Sequence, residues 1–370
     1  MPNTYVEIDL KSLKNNFLKI RKKAGNSKVM AVVKADAYGH GMTGCVKALM
    51  ELGSKAPDYY GVAHVEEGIE LRKKTRVKKP VLCFSPLPVD KLNLYQKYDL
   101  IGSVSDESHF YELLAMNLKK PLKIHFNVDT GMGLTGIPYH KAPELIQLIA
   151  FKKNIVIDGI YTIFANAFNR NVSFAKSQIK KFDKLVNQLK TDGIDCGIVH
   201  AANSAALLNV PGSAFGMVRT GSSLYGFYPS KEVKKSVPVT PVMSIFSNIS
   251  VVKQLKRGES VGFGRGFIAS KDINIATIPI GYADGFKKGF SNNFSAIIKG
   301  KMYPQIGNVS MDRIAFNLEN DKILKGEKVV LLGKGGKLQI SLWDWADRLD
   351  TIPYEIACSI GSRIPRIYKK

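Results

Sequence analysis

Lys34 stands at the end of an apolar run, Val29–Val33, and is followed by Ala35-Asp36-Ala37-Tyr38-Gly39-His40-Gly41. A lysine amine delivered by a buried strand is a nucleophile suited to forming a Schiff base with an aldehyde. Two further apolar runs end in small and hydroxylated residues, Ala202-Asn203-Ser204 and Arg219-Thr220-Gly221-Ser222-Ser223. Hydroxyls and accessible backbone N–H groups are what a phosphate needs. A nucleophilic lysine and a phosphate cradle together point to pyridoxal 5'-phosphate. Two other glycine-rich stretches, Gly262–Gly266 and Gly333–Lys337, complete no phosphate-loop pattern and follow β-type runs, so they read as turns or bulges.

These groups need a frame that brings several strand ends together. From about residue 28 to 228, short apolar runs alternate with longer helical patterns. The expected strands are Val29–Val33, Tyr60–His64, Val81–Ser85, Leu100–Val104, Ile124–Val128, Gly159–Phe164, Ile198–His200 and Met217–Leu224. Amphipathic stretches such as Glu66–Lys74 and Ala175–Lys190 separate them; the latter carries Ile179, Phe182, Val186 and Leu189 at helical spacing. Eight such units predict an α/β chain with an N-terminal (β/α)8 barrel over residues 1–230, whose chemistry belongs at the C-terminal strand ends. A doubly wound sheet is the alternative. After the polar, proline-flanked segment from Pro229 to Pro238, the pattern turns to β. Met243–Val252, Ala276–Pro279, Ala296–Lys299 and Val329–Leu332 are strand candidates, with one helix near Leu342–Leu349. A mostly β C-terminal domain over 231–370 is expected.

Composition narrows the function classes. Of the 370 residues, 54 Lys and Arg face 31 Asp and Glu, a formal net charge of +23 that first suggests nucleic acid or another anion. No binding motif or aromatic-basic interleaving supports nucleic acid, so the excess reads as a lysine-rich surface. Four dispersed cysteines form no C-x-x-C pair, and six histidines form no H-E-x-x-H or H-x-H pair, so no metal site is expected. No membrane span or signal segment is visible, and scattered thiols fit a cytoplasmic protein.

Several motifs are similar to those of one family. Ala31–Gly41, Asp129-Thr130-Gly131-Met132-Gly133, Ala201–Ala206, Met217-Val218-Arg219, Gly281-Tyr282-Ala283-Asp284-Gly285, Ser310-Met311-Asp312 and Ile352-Pro353-Tyr354-Glu355 resemble alanine racemases, in family order. The resemblance runs from Val6 to about Tyr368. It implies that Lys34 holds the pyridoxal phosphate and moves a proton. It also implies that Tyr38, Asn203, Ser204, Gly221, Ser222 and Tyr354 bind the cofactor, and that Arg219 faces its ring nitrogen. Tyr282 and Met311 match substrate-entrance positions lent by a second subunit, with Asp312 beside them as a substrate-binding position, which implies a homodimer acting on a small amino acid, L- and D-alanine.

The departures cluster at expected active-site positions. An arginine of the family is Leu134 here, a histidine is Ile163, and a lysine of many members is Asn127. The tyrosine that serves as second catalytic base is Phe263. The resemblance then implies either a racemase with an impaired or altered second proton transfer, or a pyridoxal-phosphate-binding relative without efficient racemisation.

Overall fold

A computed structural model describes residues 3–370. The chain divides into two compact units, each described by itself. Leu13–Ala37 and Met42–Thr240 make the first, a barrel unit. The second is a β unit containing the described residues up to Ser12, Tyr38–Gly41 and Pro241–Lys370. The first strand, β1 (Thr4–Asp9), therefore belongs with the β unit rather than with the barrel region in which the sequence placed it. It is recruited by β10 (Met243–Asn248) on one edge and by β17 (Arg366–Lys369) on the other.

The barrel unit carries all eight expected strands: β2 (Lys28–Val32), β3 (Tyr59–Val62), β4 (Val81–Pro86), β5 (Ile101–Val104), β6 (Leu122–Asp129), β7 (Ile155–Thr162), β8 (Ile198–Asn203) and β9 (Met217–Thr220). They pair in parallel in chain order, and β9 pairs with β2 to close the ring. Closure excludes the doubly wound alternative. Strands covered on both faces bury nearly every residue, which is why they read as apolar runs. The crossover helix Ser173–Thr191 buries Phe182, Val186 and Leu189 as its spacing predicts, leaves Ile179 only half-buried, and adds Gln178 to the stripe. Gln178 is accommodated because its amide donates to Thr130 Oγ1 and the Ile163 carbonyl and accepts from Ala165 N–H.

In the β unit, β11 (Val251–Leu255), β12 (Ile273–Ile278), β13 (Ser295–Ile298), β14 (Lys301–Ile306), β15 (Ile314–Glu319) and β16 (Lys328–Gly335) join β1, β10 and β17 in the order β11-β12-β15-β14-β13-β16-β10-β1-β17, with Leu338–Ile340 added on β16. The single strand expected over Met243–Val252 is broken at Ile249-Ser250, where β10 ends and β11 begins in a different pairing. Two helices follow instead of one, Leu342–Arg348 and Pro353–Ser359, the second opened by a proline in its first turn. Phe286, Phe290, Phe294 and Trp345 form its aromatic core, with the indole N–H donating to the Leu331 carbonyl.

Candidate active site

Half-buried Lys34 leaves the C-terminal end of β2, and Ala35, Asp36, Ala37 and Tyr38 then turn left-handed, with φ of 52°, 50°, 57° and 54°. Each such residue costs about 1–2 kcal/mol, so the turn needs external support. Ala35 N–H donates to Glu67 Oε1, Ala37 N–H to the Val33 carbonyl, and Met42 N–H to Asp36 Oδ1. Ala37 tolerates this conformation because it is small. Ala37→Val places a β-branched side chain there and is expected to lower stability by about 1–3 kcal/mol, read from urea denaturation.

Beside β2 lies β9, registered so that Ala31 faces Thr220. Lys34 and the Gly221-Ser222-Ser223 turn therefore emerge from neighbouring strand ends. Ser204 Oγ accepts from Gly221 N–H at 2.9 Å and Ser223 N–H at 3.4 Å, which leaves its own proton to donate outward. Asn203 caps the short helix after β8 by accepting from Ala206 N–H. The hydroxyls of Thr220, Ser222 and Ser223 are buried and have no partner among the described residues. An orphaned buried hydroxyl costs about 1–3 kcal/mol, so three within four residues mark a place built for acceptor oxygens.

Arg219 is buried on β9. Its Nη1 donates to His200 Nδ1 at 2.7 Å and to the His200 carbonyl at 3.3 Å; its Nη2 donates to the carbonyls of Thr162 and Ala201. A guanidinium has five N–H donors, so the barrel takes up four and Nε–H remains. Burial brings Arg219 down to about 10, which still leaves it charged at neutral pH. Behind it, His200 Nε2 meets His125 Nδ1 at 2.9 Å, and His125 Nε2 meets Asp158 Oδ2 at 3.0 Å. Tyr161 stacks on His200 with centroids 5.0 Å apart.

Burial holds His125 below the ordinary histidine range, against the opposing pull of Asp158. Burial, then the Arg219 charge, holds His200 well below it. Both are neutral when folded and basic when unfolded, so unfolding takes up protons below about pH 6.5. Stability is fully present above that pH and falls on acidification, by about 1.4 kcal/mol per pH unit for each histidine until its folded pKa is reached. Urea denaturation from about pH 8 down to about pH 5 checks the sign and slope.

Thr220 and Ser223 lie in the hydroxylated strand end to which the sequence pointed, whereas His125, Asp158 and His200 were not singled out as site residues. Their signal was a lone polar residue inside an apolar strand, and the histidine search followed spacing along the chain, whereas these groups meet across strands. The departed positions resolve differently from one another. Asn127 is buried and donates to Thr135 Oγ1. Ile163 is half-buried, and its carbonyl is held by Gln178. Leu134 lies 78% exposed on a loop whose Gly131, Met132 and Gly133 N–H groups all donate to Asp129.

Within the β unit, the Tyr38 and Tyr354 rings lie 5.9 Å apart. Burial, reinforced by Tyr354 and Cys358, pushes the Tyr38 phenol up and keeps it protonated. Tyr282 N–H donates to the Ser310 carbonyl and Ala283 N–H to that of Met311, so Tyr282 and Met311 are carried on adjoining turns. Gly281 permits this approach: a Cβ there would lie 2.2 Å from the Ser310 oxygen. Asp312 accepts from Arg363 at 2.8 Å. Phe263 forms the turn between Ser260-Val261 and Phe267-Ile268, with its ring 80% exposed.

A closed parallel barrel with a polar rim, together with a β unit, defines a two-unit (β/α)8 architecture. Models of the alanine racemase N-terminal and C-terminal domains match residues 8–229 and 242–368. Alanine racemase 1 of Caldanaerobacter subterraneus subsp. tengcongensis is 37% identical, over 99% of this chain and 94% of that protein. The alanine racemase of Methanococcus maripaludis is 36% identical over 98% of each. The crystal structure of alanine racemase from D-cycloserine producing Streptomyces lavendulae has a TM-score of 0.93 at 29% identity, covering 100% of this chain and 98% of its own. That of Bacillus anthracis alanine racemase with bound L-Ala-P also gives 0.93, at 30% identity, covering 100% and 96%. The chain belongs to the alanine racemase family.

Proposed function

We propose that the chain is a pyridoxal-phosphate-dependent amino-acid racemase of the alanine type, in which only one face of the substrate is served by a strong base. The observation that carries the cofactor assignment is the trio of unpartnered hydroxyls, Thr220, Ser222 and Ser223, at the end of β9 and in the turn after it, beside the strand that delivers Lys34. The residues present fit the group. Hydroxyls and the Ser204 proton suit its phosphate, Lys34 its aldehyde, and the spare Arg219 Nε–H its ring nitrogen. Tyr38, Gly221 and Tyr354 are assigned to the same phosphate, and Asn203 to the cofactor, by family resemblance. When bound, the cofactor supplies an electron sink that acidifies the α-proton of an amino acid.

This chain's residues then divide the work. Lys34 carries the proton at its Nζ. Arg219 donates and accepts nothing, so the ring nitrogen stays unprotonated and the sink stays modest. Tyr282, Met311 and Asp312 are assigned to the substrate entrance, completed by a second copy of the chain in a cytoplasmic homodimer. Phe263 holds no proton, so transfer on the opposite face lacks a group worth about 10²–10⁴ in rate.

Loading the purified chain with pyridoxal phosphate tests the cofactor assignment. A visible absorption band, and borohydride fixation of the label on the peptide containing Lys34, is the expected result. No band at saturating cofactor, or labelling of surface lysines alone, would overturn it.

A further inference from the structure

We propose that Asp158, on the far side of the barrel interior from the site rim, is a positioning residue for Arg219, acting through His125 and His200. The inference rests on the assignment of Arg219 to the cofactor ring and extends it to residues outside the site. The chain of contacts is Arg219 Nη1 to His200 Nδ1 at 2.7 Å, His200 Nε2 to His125 Nδ1 at 2.9 Å, and His125 Nε2 to Asp158 Oδ2 at 3.0 Å. Its two ends fix every proton between them. A guanidinium only donates, so His200 Nδ1 is an acceptor and its proton is on Nε2. That proton goes to His125 Nδ1, which is then an acceptor, so the His125 proton is also on Nε2. It goes to Asp158 Oδ2, a carboxylate that the hydrogen bonds from His125 and Tyr59 favour in its ionised form. Tyr59 donates to the same carboxylate oxygen at 3.2 Å and steadies it.

The barrel is shaped for this line of groups. His125, Asp158, His200 and Arg219 come from four successive strands, β6 to β9. Gly159 admits the His125 ring: a Cβ there would lie 2.8 Å from His125 Cε1 and 2.7 Å from the Ile198 carbonyl oxygen. Tyr161 closes the layer, stacked on His200 and held by Ser103 at 2.7 Å. The rest of the Arg219 anchorage is backbone carbonyl, so His200 is the one side chain on which its guanidinium is hydrogen-bonded among the described residues. With a neutral end group in place of Asp158, only the Arg219 contact still holds both protons on Nε2, and the opposite tautomers, which break the Nη1–His200 bond, become accessible. The Nε–H direction is then lost with it.

The test begins with nitrogen-15 NMR of the histidines in the cofactor-free protein at neutral pH. Both His125 and His200 are expected as neutral Nε2–H tautomers, and a charged ring or an Nδ1–H tautomer at His200 would overturn the relay. This measurement needs no variant. Asp158→Asn is then expected to mix the tautomers and weaken pyridoxal phosphate binding roughly 10- to 100-fold, with partial recovery in Asp158→Glu. It is also expected to lower kcat more than it raises KM. Unchanged cofactor affinity in a folded Asp158→Asn protein would overturn the positioning role. Wild-type protein that shows the assigned tautomers but takes up no cofactor would instead overturn the reading of the site.

Discussion

Phe263→Tyr is expected to raise alanine racemisation by about 10²-fold, and Phe263→Tyr combined with Ile163→His by up to about 10⁴-fold. The range is that of a positioned general base, and the single variant falls at its lower end because it restores only one of the two family residues that stand altered here. The turn is ready to receive the change. The Phe263 carbonyl accepts from Asn308 Nδ2 at 2.8 Å, and Arg265 ties back to Gly262 and Ser260, so its backbone is held without the ring. With the ring 80% exposed in the single chain, an added hydroxyl buries no unsatisfied group. Initial rates from both enantiomers, measured by chiral chromatography, check the gain.

Lys34→Ala is expected to abolish turnover, by about 10⁴-fold or more, and to remove the visible band of the loaded protein. The loss is chemical rather than structural. The left-handed turn after Lys34 is supported by Glu67, Asp36 and backbone groups, none of which uses the lysine side chain. The β2–β9 register likewise runs from Lys28 to Ala31 and does not involve Lys34. Thermal stability of the cofactor-free variant should therefore match wild type within about 1 kcal/mol. A small exogenous amine should restore part of the turnover, because a free amine can take over the proton that Lys34 carried.

All eight barrel strands were legible, because parallel strands buried on both faces are written as unbroken apolar runs. The left-handed turn was not, since Ala35-Asp36-Ala37 has the composition of an ordinary helix and only its contacts make the other hand affordable. The pairing of β1 with β10 was equally invisible, because Tyr5 meets Phe246 with no local signal at either end. At the rim, Lys34, Ser204, Arg219 and Ser222 could be picked out from hydroxyls and charges at strand ends. The Arg219–His200–His125–Asp158 line could not, because its members are far apart in sequence and aligned only by strand register. The departed positions were identifiable, but not their different fates. Asn127 is buried and hydrogen-bonded, whereas Leu134 and Phe263 face outward.

On the proposed reading, one face of the substrate has a base and the other has none. Incubating the loaded enzyme with each alanine enantiomer in deuterated water, and following α-deuterium incorporation together with enantiomer composition, tests it most directly. One enantiomer should gain deuterium at least about 10²-fold faster than it is converted to its mirror image, while the other exchanges slowly. Equal exchange of both enantiomers at the rate of a rapid racemisation would contradict the account and require a second base in place of Phe263.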